Sequence, residues 1–103
     1  MNAYLIDANT KTVSAVEVSG LDDVKKLIGY DSVDSDEIDA SGDRLFFDES
    51  CFLRDQTGKG RFKLDNLAPV ADKGVVAGSS GDAANLQNAA VQLAALQQRI
   101  TWL

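Results

Sequence analysis

Sixteen Asp and Glu residues stand against ten Lys and Arg in a 103-residue chain that has no histidine. Half of those acids fall in one stretch: Asp31, Asp34, Asp36, Glu37, Asp39, Asp43, Asp48 and Glu49, with Arg44 as the sole cation among them. The stretch carries a net −7 within a total of −6, so the rest of the chain sums to +1. Carboxylates at this density could hold calcium, serve acid–base chemistry or meet a basic partner. An EF-hand loop needs oxygen ligands at positions 1, 3 and 5, glycine at 6 and glutamate at 12. Counting from Asp34 puts Ile38 at position 5 and Asp39 at 6, and counting from Asp31 puts Val33 at 3. Neither frame works, and no metal or other cofactor is expected. Two readings stay open for Asp34, Asp36, Glu37 and Asp39. One is an acidic face for a basic protein. The other is a solvated strand surface whose charge discourages edge-to-edge pairing.

A second group is cationic. Arg54, Lys59, Arg61 and Lys63 surround Thr57-Gly58-Lys59-Gly60. A phosphate-binding loop needs G-x-x-x-x-G-K-[ST] between a buried strand and a helix. Here Gly60 replaces the hydroxyl residue and no helical pattern follows. A hairpin tip is the plain reading, and a carboxylate-based hydrolase or phosphate binder using Lys59 and Arg61 is the alternative. Cys51 lies beside Glu49, which would raise a thiol pKa, and no histidine is present to lower it. Without histidine, the common zinc sets and the Ser-His-Asp and Cys-His nucleophiles are excluded. The chain is therefore expected to be non-enzymatic.

These residues must be positioned by a small body. One hundred and three residues make one domain-sized core without disulfides, and a single cysteine allows no internal bridge. Ala3 to Asp7 and Thr12 to Val18 read as a hairpin, with Val16 and Val18 on one face. Leu21 to Ile28 reads as a short helix, with Asp22 and Asp23 in its first turn and Gly29 ending it. Ser32 to Ala40 is a weakly marked strand. Arg44 to Asp48 is a clear one, with Phe46 and Phe47 offering one aromatic to each face. Phe52 and Leu53 continue apolar, and Arg61 to Leu64 is a further strand. Asn66 to Ala71, with Pro69, reads as a connection, and Gly74 to Gly78 as a buried strand.

The last stretch has its own pattern. Leu86, Leu93 and Ile100 recur every seven residues, and Ala89, Leu96 and Leu103 fall three later. That is one apolar stripe of an amphipathic helix, with Ser79 and Asp82 in capping spacing before it. Arg99 is the sole charge from Ala83 onward, and the remaining polar residues are mostly Asn and Gln. The stripe could pack on the chain's own sheet. It could instead form a homodimer through Leu86, Leu93, Leu96, Ile100 and Trp102. The expected organisation is an α+β domain over 1–81, mainly antiparallel, with a short helix after the second strand. A longer C-terminal amphipathic helix over 82–103 completes it.

The acidic balance argues against non-specific nucleic-acid binding, which needs cations to neutralise phosphates. The opening MNAYLIDANT has no basic segment followed by an apolar one, and no apolar run reaches transmembrane length, so a cytoplasmic protein is expected. The segments Tyr4 to Asp7, Leu21 to Gly29, Gly42 to Glu49 and Gly74 to Gly78, in this order, resemble small uncharacterised proteins of phages, prophages and plasmids. That resemblance covers roughly residues 3 to 80. It implies a bacterial or phage setting, and it carries no catalytic residues over.

Overall fold

The computed structural model describes residues 1–50, 58–79 and 85–103. The readings placed on Cys51, Phe52, Leu53, Arg54 and Asp82 lie outside the described residues. In chain order the elements are β1 (Asn2–Asp7), β2 (Thr12–Glu17), α1 (Leu21–Ile28), β3 (Val33–Glu37), β4 (Asp43–Asp48) and β5 (Arg61–Leu64). There follow β6 (Val70–Ala71), β7 (Lys73–Ser79), β8 (Leu86–Gln87), α2 (Leu93–Arg99) and β9 (Ile100–Trp102). The fold is thus α+β, with antiparallel sheets and, among the described residues, two helices.

The main sheet runs β2-β1-β7-β4-β3, and β8 adds to the end of β7. A smaller sheet runs β6-β5-β9. Alternation along each strand sorts the apolar residues to two faces. Ala3, Val18, Phe46, Val75 and Ala77 point to one side, where Val24 and Ile28 of α1 meet them. Ile6, Leu45, Phe47 and Val76 point to the other, against Phe62, Leu64 and Val70 of the small sheet and Leu96 of α2. Phe46 and Phe47 do go to opposite faces, and Val16 joins Val18 on the α1 side. The main sheet is therefore the middle of three layers.

Local chemistry explains α1. Its apolar residues fall on one face, and Asp23 reaches back from the first turn to accept from the Ser19 N–H at 2.8 Å and its hydroxyl at 2.7 Å. These two bonds hold the Asp23 carboxyl below its ordinary pKa. Gly29 ends the helix at φ 92°, a left-handed conformation that glycine adopts without strain.

The C-terminal segment departs from the expected long helix. Leu86 and Gln87 pair with Ser79 and Gly78 in the main sheet. Asn88 accepts the Asn2 N–H on its side-chain oxygen at 2.8 Å, and Ala89 donates to the Asn2 carbonyl at 2.8 Å. The carboxylate of Asp43, 1% exposed, takes the N–H groups of Ala90 and Val91 at 2.8 and 2.9 Å. Among the described residues of this segment Leu93–Arg99 is helical, and Ile100–Trp102 then pairs with β5. Helix propensity is a few tenths of a kcal/mol per residue, and these tertiary hydrogen bonds outweigh it. The abundance of amides also finds its reason in part: Asn88 serves as a backbone mimic in a connection. The segment from residue 86 contributes strands to both sheets, and α2 packs Leu96 into the core beneath the main sheet.

Asp43 thus stitches the connection before α2 to the end of β4. Asp43→Asn keeps one acceptor and turns an amide donor toward a backbone N–H. The expected cost is about 2 kcal/mol. Urea unfolding should show a lower midpoint with unchanged slope, and hydrogen exchange should speed at residues 88–91.

Candidate functional site

The acidic stretch lands on the edge strand β3, but not as one surface. Asp34 and Asp36 lie opposite Phe47 and Leu45 in register, on the side of the main sheet that carries the small sheet. Glu37 lies opposite Arg44, on the α1 side with Val33 and Ser35. All three carboxylates are exposed. Among the described residues none of the three makes an ion pair. Arg44, the sole cation of the acidic stretch, spends its guanidinium on Ser35 instead, donating to the hydroxyl at 2.9 Å and the carbonyl at 3.1 Å.

This use of Arg44 has a topological meaning. Glu49 donates to Ser32 and Ile38 donates to Asp43, which fixes the alternation of the β3–β4 ladder. Residues 32, 34, 36 and 38 turn their backbone polar groups toward β4, and 33, 35 and 37 turn theirs outward. Ser35 is the centre of the outward row. Its N–H is accepted by the Asp34 carboxylate at 2.8 Å and its carbonyl is covered by Arg44. Side chains thereby occupy the middle of an edge that would otherwise be a template for pairing.

Asp39 has a different employment. Its carboxylate accepts from Arg99 at 3.1 Å and from the Ser41 N–H at 2.8 Å. Arg99 also grips Asp65 through Nε and Nη2 and reaches the Ile38 carbonyl. The last residue of α2 is so tied to the turn after β5 and to the β3–β4 connection. A groove of 660 Å³ lies there, lined in part by Ile38, Asp65, Leu67 and Arg99. The Ser41 hydrogen bonds, aided by Arg99, hold the Asp39 carboxyl below its ordinary pKa. Asp65, then Asp39, raise that of Arg99. Sequence spacing joined Asp39 to the strand acids, whereas the fold pairs it with Arg99 at the surface.

In the cationic group, Lys59 is likewise engaged. Lys59 donates to the Tyr30 hydroxyl at 2.7 Å and lies 3.5 Å from Asp72. Chiefly the Tyr30 bond, then Asp72, raise its pKa. Asp72, at φ 72°, also accepts from Asn9, and the Gly60 N–H donates to the Asn9 side chain at 2.8 Å. A Cβ at Gly60 would stand 2.2 Å from the Ala8 carbonyl oxygen. The network closes the β1–β2 turn against the loop before β5, a structural task that leaves Lys59 as a bound cation. Arg61 is exposed at the start of β5. Among the described residues no group of three His, Cys, Asp or Glu side chains is set to hold a metal.

The apolar stripe faces inward. Leu96 is fully buried and Ile100 9% exposed, both in the core beneath the main sheet. Trp102 stands edge-on to Phe62 with centroids 6.4 Å apart. Leu86 packs toward the α1 side, and Leu93 is half-buried. Among the described residues the large apolar side chain left exposed is Leu103. These residues are spent within the chain, not gathered on a helix surface. Asp43, Ser35 and Arg44 were the residues whose roles the sequence hid, because each acts on backbone groups brought near only by the fold.

No helix among the described residues is long and apolar enough to cross a membrane. Compared with protein-family models, curated proteins and solved structures, the chain matches none.

Since the Asp39 pKa is lowered in the fold, its contribution is complete above the ordinary carboxylate range and is lost as pH falls through the depressed value. Asp39→Asn should therefore flatten the loss of thermal stability between about pH 5 and pH 2. Arg99→Gln should lower stability at neutral pH by about 1–2 kcal/mol. Thermal melts across pH check both.

Proposed function

We propose that this chain is a non-enzymatic binding module that receives a basic protein partner on the acidic side chains of β3. One observation carries the reading: Asp34, Asp36 and Glu37 are exposed together on an edge strand and make no ion pair among the described residues. Charges that a fold does not compensate remain available to a partner, and they steer encounter with the opposite sign. Asp34 and Asp36 project from one face of the strand and Glu37 from the other. A cationic segment lying along the edge would therefore meet carboxylates on both sides. Because Asp34 and Arg44 cover the backbone of Ser35, the contacts would run between side chains and not through strand addition. The same charge works against nucleic acid.

The test separates charge from structure. Asp34→Asn keeps the oxygen that accepts from Ser35 and removes only the charge. A tagged chain carrying D34N, D36N and E37Q is compared with the native chain and with D39N in pull-downs from host lysate, read by mass spectrometry. A partner retained by the native chain and by D39N, but lost from the triple variant and at raised salt, is the expected result. A partner indifferent to the triple variant, or none on the native chain, overturns the proposal.

A further inference from the structure

The two edges of the main sheet are treated differently, and the difference points to a docking surface on β2. The amino group of Met1 donates to the Val18 carbonyl at 2.7 Å, and Val18 N–H donates back to Met1 at 3.0 Å. This reciprocal pair fixes the alternation of the β1–β2 ladder. Residues 12, 14, 16 and 18 turn their backbone polar groups toward β1, so Val13, Ala15 and Glu17 turn theirs outward. Among the described residues, nothing accepts from or donates to these outward groups. On β3 the corresponding central residue is covered by its neighbours' side chains, but β2 has no such cover.

Composition agrees with geometry. Residues 12–17 read TVSAVE, with a single charge at the end. The first twenty residues carry only Asp7, Lys11 and Glu17 as charged side chains. The acidic β3 sits four strand spacings away, about 19 Å, which exceeds the screening length of about 8 Å at physiological salt. Two copies can thus bring their β2 edges together without opposing their acidic strands.

We infer that β2 pairs antiparallel with β2 of a second copy across a twofold axis, joining two main sheets into one. The strand is self-complementary in one register. With Ser14 opposite Ser14 of the other copy, Val13 faces Ala15, and their outward N–H and C=O groups exchange hydrogen bonds. Thr12 then faces Val16. Lys11, the left-handed turn residue just before β2, forms no ion pair among the described residues and comes to the end of the paired strands beside Glu17 of the other copy, an exposed carboxylate that meets the Met1 amino group at 3.2 Å. Beneath the start of β2 lies a cleft of 330 Å³ lined by Lys11, Thr12, Val13, Gln97 and Trp102. In this register the partner's small Ala15 lies beside Val13 on the cleft side, so no bulky group has to enter. Since β3 is covered and acidic, pairing at β2 closes at two copies and does not propagate. The inference stands apart from the binding proposed for β3.

Sedimentation equilibrium tests it directly. The native chain should show twice its 11.0 kDa mass, and Ala15→Pro should show the single mass. Proline there removes an outward N–H and costs β1 no hydrogen bond. A second variant carries the register: in a Cys51→Ser background, Ser14→Cys should cross-link two copies on mild oxidation. Non-hydrogen-bonded pairs lie about 4.5 Å apart at Cα, within disulfide reach. Lys11→Glu should weaken the dimer at least several-fold, and adding Glu17→Lys should restore it. A native chain that stays monomeric, a folded Ala15→Pro chain that stays dimeric, or Ser14→Cys that fails to cross-link would each overturn the inference.

Discussion

The pairing of β7 on both sides is the constraint from which the architecture follows. This strand bonds to β1 along one edge and β4 along the other, and its residues from Gly74 to Ser79 are buried. A strand covered on both faces must have a layer above and a layer below. The α1 layer takes Val75 and Ala77, and the small sheet with α2 takes Val76. Glycine stands where the covering layers come closest. A Cβ at Gly74 would meet the Phe62 ring at 2.8 Å, and one at Gly78 would meet the Asn88 carbonyl oxygen at 2.5 Å. The absence of side chains at these two positions lets the small sheet and the C-terminal connection lie directly on backbone.

Around this centre the polar side chains divide by employment. Asp43, Asp39, Asp65, Asp72, Arg99 and Lys59 are tied to one another or to backbone groups, and each joins segments far apart in sequence. Among the described residues Asp34, Asp36 and Glu37 join nothing across such distances. The strong negative charge of the chain is therefore not uniformly available. Among the described residues part of it is consumed in holding connections to the sheets, and Asp34, Asp36 and Glu37 are displayed on β3. Hydrogen bonds from backbone to a buried charged group are worth more than exposed ion pairs, so among these acids the buried Asp43 bears most on folding.

Single elements were legible in the sequence where a short repeat of apolar residues has one interpretation, while their placement in three layers was not. The opening hairpin, α1 and the aromatic pair Phe46–Phe47 are of this kind, as is the glycine-bounded β7. The C-terminal stretch was not legible, because a seven-residue apolar spacing in an alanine- and glutamine-rich run has the same pattern whether or not it is helical. What decided its structure was the carboxylate of Asp43 and the open backbone of Asn2, both more than forty residues away. The acidic stretch was legible as charge but not as surface. Period-two alternation sends Glu37 away from Asp34 and Asp36, and Asp39 falls past the strand end, where Arg99 meets it.

The order of the strands along the chain carries a consequence for how the molecule is made. β1–β2 and β3–β4 are local hairpins, but they are not neighbours in the sheet; β7 stands between them. On a ribosome, both hairpins emerge before the strand that unites them, each showing an apolar face with nothing to cover it. Contacts between segments distant in sequence form late and slowly, and exposed strand edges invite wrong partners in that interval. The covered backbone of Ser35 thus protects the nascent β3–β4 hairpin on one flank while its other flank waits for β7.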